Sequence, residues 1–169
     1  MPTVGELDQW KYCPRCAGEI EVDRGRAECP SCGFRTYASS KPTASAVCED
    51  DEGHFLLSRR GVDPFKGKWD FPGGFLDEDE HPLDALRREL AEETGLEVEP
   101  TEWFGAFMIR YGDEPDARWV LNLVWRAQVV GGEEHAADDV SELRWFAPAE
   151  LPPLDEVAMA EPLRAWLDR

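Results

Sequence analysis

The chain has no apolar run approaching the ~18–20 residues that a membrane-spanning helix requires, so no membrane association is expected. Its first residues, Met1 to Trp10, carry Glu6 and Asp8 and lack the apolar segment of a secretory signal. A cytoplasmic location is the expectation. Positive charge is scarce. Lys and Arg together number 18 against 36 Asp and Glu, for a net charge of −18. Such a field repels a long nucleic-acid strand, so nucleic acid is not an expected partner. It does not exclude a small phosphorylated molecule, because a divalent cation reverses the field locally. There is no internal repeat and no low-complexity tract. Only five cysteines are present, and without a secretion signal their arrangement favours metal over disulfides. The 42% hydrophobic and 11% aromatic content of 169 residues suffices for one packed domain and a small appendage.

Four of the cysteines form two pairs, Cys13-Pro14-Arg15-Cys16 and Cys29-Pro30-Ser31-Cys32, separated by twelve residues. Each CxxC turn can present two thiolates to one ion, and two turns complete a tetrahedron that suits Zn²⁺. Gly18 and Gly33 follow the two knuckles, where they let backbone N–H groups turn toward sulfur. Four protein ligands leave no open position, so the predicted zinc is structural. A segment this short needs such a staple. Residues 10–37 hold five Lys and Arg against four Asp and Glu, a net of +1 with no concentrated basic patch. They read as a structural or substrate-shaping zinc ribbon. The fifth cysteine, Cys48, lies in a predicted strand and reads as a small core residue.

The predicted organisation is a ribbon over residues 1–37, a linker at 38–42 (Ala-Ser-Ser-Lys-Pro), and one domain over 43–169. Residues 1–9 read as a polar lead-in. Thr43–Glu49 and His54–Arg59 are strand-like around a turn at Asp50–Gly53, which suggests a hairpin. Lys68–Phe71 reads as a short strand stopped by Pro72-Gly73-Gly74. His81–Thr94 has Leu83, Leu86 and Leu90 at helical spacing, with Pro82 in the first turn and Gly95 past the end. Thr101–Tyr111, Trp119–Val130 and Leu143–Phe146 are strand-like. Val157–Leu167 reads as an amphipathic helix that Pro162 shortens or kinks. The mixture predicts a layered α/β domain.

The segment Gly74 to Leu96, GFLDEDEHPLDALRRELAEETGL, carries the chemistry. Glu89, Glu92 and Glu93 stand at i, i+3 and i+4 and share one helix face. Three adjacent carboxylates repel unless a cation lies among them, and hard oxygen donors select Mg²⁺ or Mn²⁺. The glycines before the helix let backbone approach a metal and a phosphate. REL-x-EE alone would equally suit a solvated acidic helix. The whole segment resembles the Nudix box, Gx5Ex7REUxEExGU with U bulky and aliphatic. Gly74, Glu80, Arg88, Glu89, Glu92, Glu93 and Gly95 occupy its fixed positions, and Leu90 and Leu96 its aliphatic ones. At ordinary residue frequencies seven such identities arise by chance roughly once in 10⁸ to 10⁹ start positions.

The resemblance implies an α/β/α sandwich with a mixed sheet, hydrolysing nucleoside diphosphates linked to another moiety with divalent cations. By motif position, Glu89 and Glu93 are the principal metal ligands and Glu92 assists. Glu80 pairs with Arg88 to orient the helix, and the Gly73 carbonyl faces a metal. The implied chemistry is water attack on phosphorus. A box glutamate or a later carboxylate serves as base. Among Glu133, Glu134, Asp138, Asp139 and Glu142, Asp139 is favoured by its place before the strand around Trp145. Arg59, Arg60, Lys66, Lys68, Arg110 and Arg118 are candidates for binding phosphate, with Arg59, Arg60, Lys68, Gly73 and Gly74 taken as substrate-binding. Phe65, Tyr111 and Trp119 could stack on a base, although core packing or loop anchoring is the stronger reading of each. A ribbon followed by this box resembles the NADH pyrophosphatase arrangement, yet Val98–Gly112 lacks the SQPWPFPxS of that subgroup. ADP-ribose pyrophosphatases often carry a proline where Tyr111 stands here, with Pro115 a little later. The expected substrate is a small-molecule nucleotide derivative such as ADP-ribose or NADH. Hydrolysis of NAD-type RNA caps and a non-catalytic nucleotide sensor stay open as alternatives, and a homodimer is compatible with the resemblance.

Overall fold

A computed structural model describes residues 5–112, 114 and 117–168. Pro115 and the first four residues of the expected lead-in lie outside that set. The cysteine-bearing segment forms a three-stranded antiparallel sheet of β1 (Glu21–Asp23), β2 (Arg26–Glu28) and β3 (Arg35–Tyr37). The polar lead-in is more than a tail. Leu7 is buried, and Glu6 reaches Lys41 at 3.8 Å.

Two sheets make up the rest. A mixed sheet runs in the order β7 (Gly73–Phe75), β4 (Lys41–Cys48), β9 (Arg118–Gly132), β8 (Leu96–Tyr111). In it β4 and β9 are parallel and the other pairs antiparallel. An antiparallel sheet runs β10 (Val140–Phe146), β5 (Phe55–Arg60), β6 (Trp69–Asp70). Strand alternation divides the interior. Ala44, Ala46, Cys48 and Leu56 pack with Ala85, Leu86 and Leu90 of α1 (Pro82–Thr94). Val47, Phe55, Leu57 and Val124 pack with Leu163 of α2 (Ala160–Leu167) on the opposite side. One helix covers each face, which is the expected α/β/α sandwich with a mixed sheet.

Three local expectations change. Lys41 and Pro42, assigned to the linker, already pair with Val120 and Leu121 as the first residues of β4. The strands β4 and β5 do not form a hairpin. β4 is flanked on both sides by β7 and β9, so β5 joins the second sheet and keeps only one bridge to it, Glu49 with Phe55. Pro72-Gly73-Gly74 follows the end of the short strand at Asp70, as expected, and the chain enters a new strand at once. Gly73 and Gly74 begin β7, and Gly73, at φ 144°, lies so close to the Ala44 carbonyl and Ser45 that a side chain would collide with that backbone. At the C-terminus α2 starts only at Ala160. Pro162 therefore sits in its first turn, where proline is tolerated, and does not kink it.

Helix α1 is well delimited. His81 caps it, its imidazole Nδ1 accepting from the Leu83 N–H at 3.3 Å, and Pro82 opens it. Gly95 ends it in the left-handed region at φ 69°. Cys48 is fully buried as a core residue, and burial pushes its thiol up to about 12.

Candidate active site

The box glutamates do not share one environment. Glu93 faces inward at 5% exposure and accepts a hydrogen bond from the Gly73 N–H at 2.9 Å. Burial pushes its carboxyl up to about 9, with Asp139 and Glu89 adding to the shift and the Gly73 bond opposing it. Glu89 is half-buried and raised for the same first reason. Glu92 is exposed and turns to Arg88 at 3.1 Å.

Arg88 organises this cluster. Its Nε and Nη2 donate to the two Glu80 oxygens at 2.8 Å each, and its Nη1 to Glu89 at 2.8 Å. Nη2 also donates to the Phe75 carbonyl at 3.1 Å, which ties the helix to β7. The Arg88 guanidinium holds the Glu80 carboxyl at about 2. Glu80 and Arg88 are paired through both carboxylate oxygens.

The chain after β9 completes the site. It docks on the free carbonyls at the end of α1, with the Ala137 N–H donating to Glu93 at 3.0 Å and His135 to Thr94 at 2.9 Å. Asp139 is thereby carried into a cavity of about 200 Å³ together with Arg60, Gly73, Gly74, Glu89 and Glu93. Asp139 lies near enough to Glu93 there to help raise its carboxyl, and Arg60 donates to Asp139 at 3.4 Å and to the Tyr111 hydroxyl at 2.9 Å.

Arg59 and Lys68 do not line this cavity. Adjacent residues of a strand point to opposite faces, so while Arg60 turns in, Arg59 donates to the Gly67 carbonyl at 2.9 Å and to Glu142 at 3.2 Å. Lys68 lies over the Phe65 ring. Thr43, Phe75, Asp138 and Met159 also line the cavity. Asp138 was among the acids considered, but Thr43, Phe75 and Met159 carry no motif and were missed. The position of Phe75 inside the box, directly after Gly74, was the one signal available.

The donor set fits a divalent cation. Glu89, Glu93 and Asp139 bring carboxylates to one cavity, and Arg60 is the only Lys or Arg among its described lining residues. A methyl group on Gly74 would overlap the Glu89 carboxylate, so the glycine keeps space clear for that side chain.

The four cysteines form a second, separate set. Their Sγ atoms all lie within 4.8 Å of one another, with Cys13 and Cys32 at 3.7 Å and Cys16 and Cys29 at 3.6 Å. Among the described residues no other group of three or more His, Cys, Asp and Glu meets that criterion. The set can hold a metal ion.

This architecture and box define a Nudix pyrophosphohydrolase. The NUDIX domain model matches residues 39–167, and the chain belongs to that family. An ADP-ribose pyrophosphatase of Methanocaldococcus jannaschii is 32% identical over 121 residues, covering 72% of this chain and 70% of that protein. The NAD-capped RNA hydrolase NudC of Pseudomonas aeruginosa is 28% identical over 148 residues, covering 85% of this chain and 50% of that protein. The chain thus spans about half the length of that relative. Among solved structures, a NUDIX hydrolase from Nitrosomonas europaea has a TM-score of 0.76 at 25% identity, covering 94% of this chain and 91% of that one.

Proposed function

We propose that this protein hydrolyses the pyrophosphate linkage of a nucleoside diphosphate derivative, ADP-ribose or a dinucleotide such as NADH. The observation that carries the reading is the meeting of Glu89, Glu93 and Asp139 in one cavity floored by Gly73 and Gly74. Glu89 and Glu93 would hold Mg²⁺ or Mn²⁺, with Glu92, now paired with Arg88 at 3.1 Å, assisting. When bound, the cation polarises the phosphate and stabilises negative charge on its oxygens. The chain's own groups do the rest. Asp139 takes the proton of the water that attacks phosphorus, forming a P–O bond as the bridging P–O bond breaks. Arg60 orients Asp139 through the 3.4 Å contact. Arg88 holds the Glu89 carboxylate in place through its own bond to it and its anchor on Glu80.

The cysteine set holds a structural Zn²⁺, because four thiolates close the coordination shell. The domain boundary of this reading falls between Tyr37 and Lys41, with the ribbon before it and the hydrolase domain after. The reading includes a cytoplasmic protein whose thiols stay reduced, and it leaves a homodimer open. The test is a Mg²⁺-dependent panel of ADP-ribose, NADH, FAD, dinucleoside polyphosphates and nucleoside triphosphates with product identification. AMP released fastest from ADP-ribose or NADH supports the proposal. No turnover by folded, zinc-loaded protein refutes it and favours capped RNA or a sensor.

A further inference from the structure

A second cavity, about 410 Å³, adjoins the carboxylate cavity and shares two walls with it, Phe75 and Tyr111. No motif points to it. It arises from topology. The parallel strands β4 and β9 both begin at its edge, bringing Lys41 and Arg118, and β8 ends there at Tyr111. Its size falls within the range of small-molecule sites.

The two shared walls differ in freedom. Tyr111 is fixed, its ring edge-on to Phe65 and Phe75 at 5.8 and 5.6 Å and its hydroxyl bonded to Arg60. Phe75 is 41% exposed and lines both cavities. Pro64 and Val120 add apolar surface. Lys41 lies at the rim, 3.8 Å from Glu6. Arg118 makes no ion pair among the described residues.

These walls select a chemistry. A sugar has no flat face to set against the Phe75 ring and the apolar surface of Pro64 and Val120. A flat heteroaromatic ring meets Phe75 with its face, its nitrogen and carbonyl acceptors meet the donors Lys41 and Arg118, and an amino group on it meets the Glu114 carboxylate. We propose that this cleft seats the base of the substrate's nucleoside, with Phe75 as the stacking surface and Arg118 as a hydrogen-bond donor in its wall. The proposal deepens the hydrolase reading and rests on it for placing the pyrophosphate in the neighbouring cavity.

The test compares equilibrium binding of AMP and ribose 5-phosphate to the full chain with Mg²⁺ present. The shared phosphate cancels, so the difference reports the base. Wild type should bind AMP at least about fivefold more tightly, the low end of what one stacked base contributes. Phe75→Ala should erase most of that preference, and Arg118→Ala should cut it at least about threefold. Trp119→Ala, next in the strand and pointing to the opposite face, should keep it. Equal binding of the two probes by wild type would overturn the inference. So would an undiminished preference in Phe75→Ala, or a loss in Trp119→Ala as large as in Arg118→Ala. Binding needs no turnover, so absent hydrolysis with intact AMP selectivity would fault the enzymatic reading and leave the cleft assignment standing.

Discussion

Replacing Glu93 by Gln separates stability from activity with opposite signs. The carboxyl is 5% exposed and pushed up to about 9 from an ordinary 4.5. Between those values the unfolded chain is ionised while the cation-free folded protein keeps its proton. Folding therefore takes up a proton, and the stability contributed by protonated Glu93 is lost steadily as pH rises from about 4.5 to about 9. One pH unit in that window is worth ~1.4 kcal/mol, so at pH 7 the penalty relative to a neutral isostere is about 3 kcal/mol. Gln keeps an oxygen for the Gly73 N–H and never ionises. In Mg²⁺-free buffer Glu93→Gln should melt about 6–12 °C above wild type at pH 7 and nearly with it at pH 5. Adding Mg²⁺ should raise the wild-type midpoint, by about 2.7 kcal/mol at a hundredfold excess over Kd, and leave the mutant where it was. The same mutant should lose nearly all hydrolysis. Thermal denaturation followed by circular dichroism at pH 5, 7 and 8, with and without Mg²⁺, decides the matter. Parallel melting shifts of the two proteins with pH would refute the buried-carboxylate argument, and equal Mg²⁺ stabilisation would refute the ligand assignment.

The two box-loop glycines should respond differently to alanine. In Gly74→Ala the new methyl displaces the Glu89 carboxylate, a movable side-chain end, so steady-state rates should fall ~100-fold with little change in melting. In Gly73→Ala the methyl meets the backbone of Ala44 and Ser45 at φ 144°, so soluble yield and melting temperature should both fall, by ~3 kcal/mol or more in stability. Arg88→Lys cannot reproduce the fork on Glu80 and should lower kcat by roughly tenfold or more with KM less affected; unchanged kinetics would remove Arg88 from the positioning role. Cys13→Ser should lose bound zinc by atomic absorption and lower the melting temperature, with the Mg²⁺ response of the hydrolase domain retained.

Sequence alone was informative where chemistry and chain order coincide. The cysteine pairs and the helix from Pro82 to Thr94 with its flanking His81 and Gly95 are local in sequence, and each is bounded by residues with a physical reason to be there. Patterning also located β4, β5, β8, β9 and β10 to within a few residues. It could not say which strands pair. Thr43–Glu49 and His54–Arg59 look like the arms of a hairpin because a turn joins them, yet both strands are buried on both faces, and β4 spends its two edges on β7 and β9. Burial on both sides is a property of neighbours that lie elsewhere in the chain. The phosphate-binding candidates divide for the same reason. Arg59 and Arg60 are equivalent as letters, and only the register of β5 against β6 and β10 sends Arg60 to the cavity and Arg59 to Glu142.

The same logic explains why Asp139 was hard to distinguish among so many acids. Its selection depends on how the chain after β9 terminates α1. Ala137 and His135 use their N–H groups to satisfy carbonyls that the helix leaves free, and the next turn delivers Asp139 against Glu93. Helix capping thus sets the position of the proposed base. Substitutions that loosen this docking, such as Ala137→Pro, which removes the N–H bonded to Glu93's carbonyl, should lower kcat without touching a single carboxylate. An Ala137→Pro protein with wild-type kcat would show that Asp139 is held by its own contacts with Arg60 and Glu93 and not by the cap.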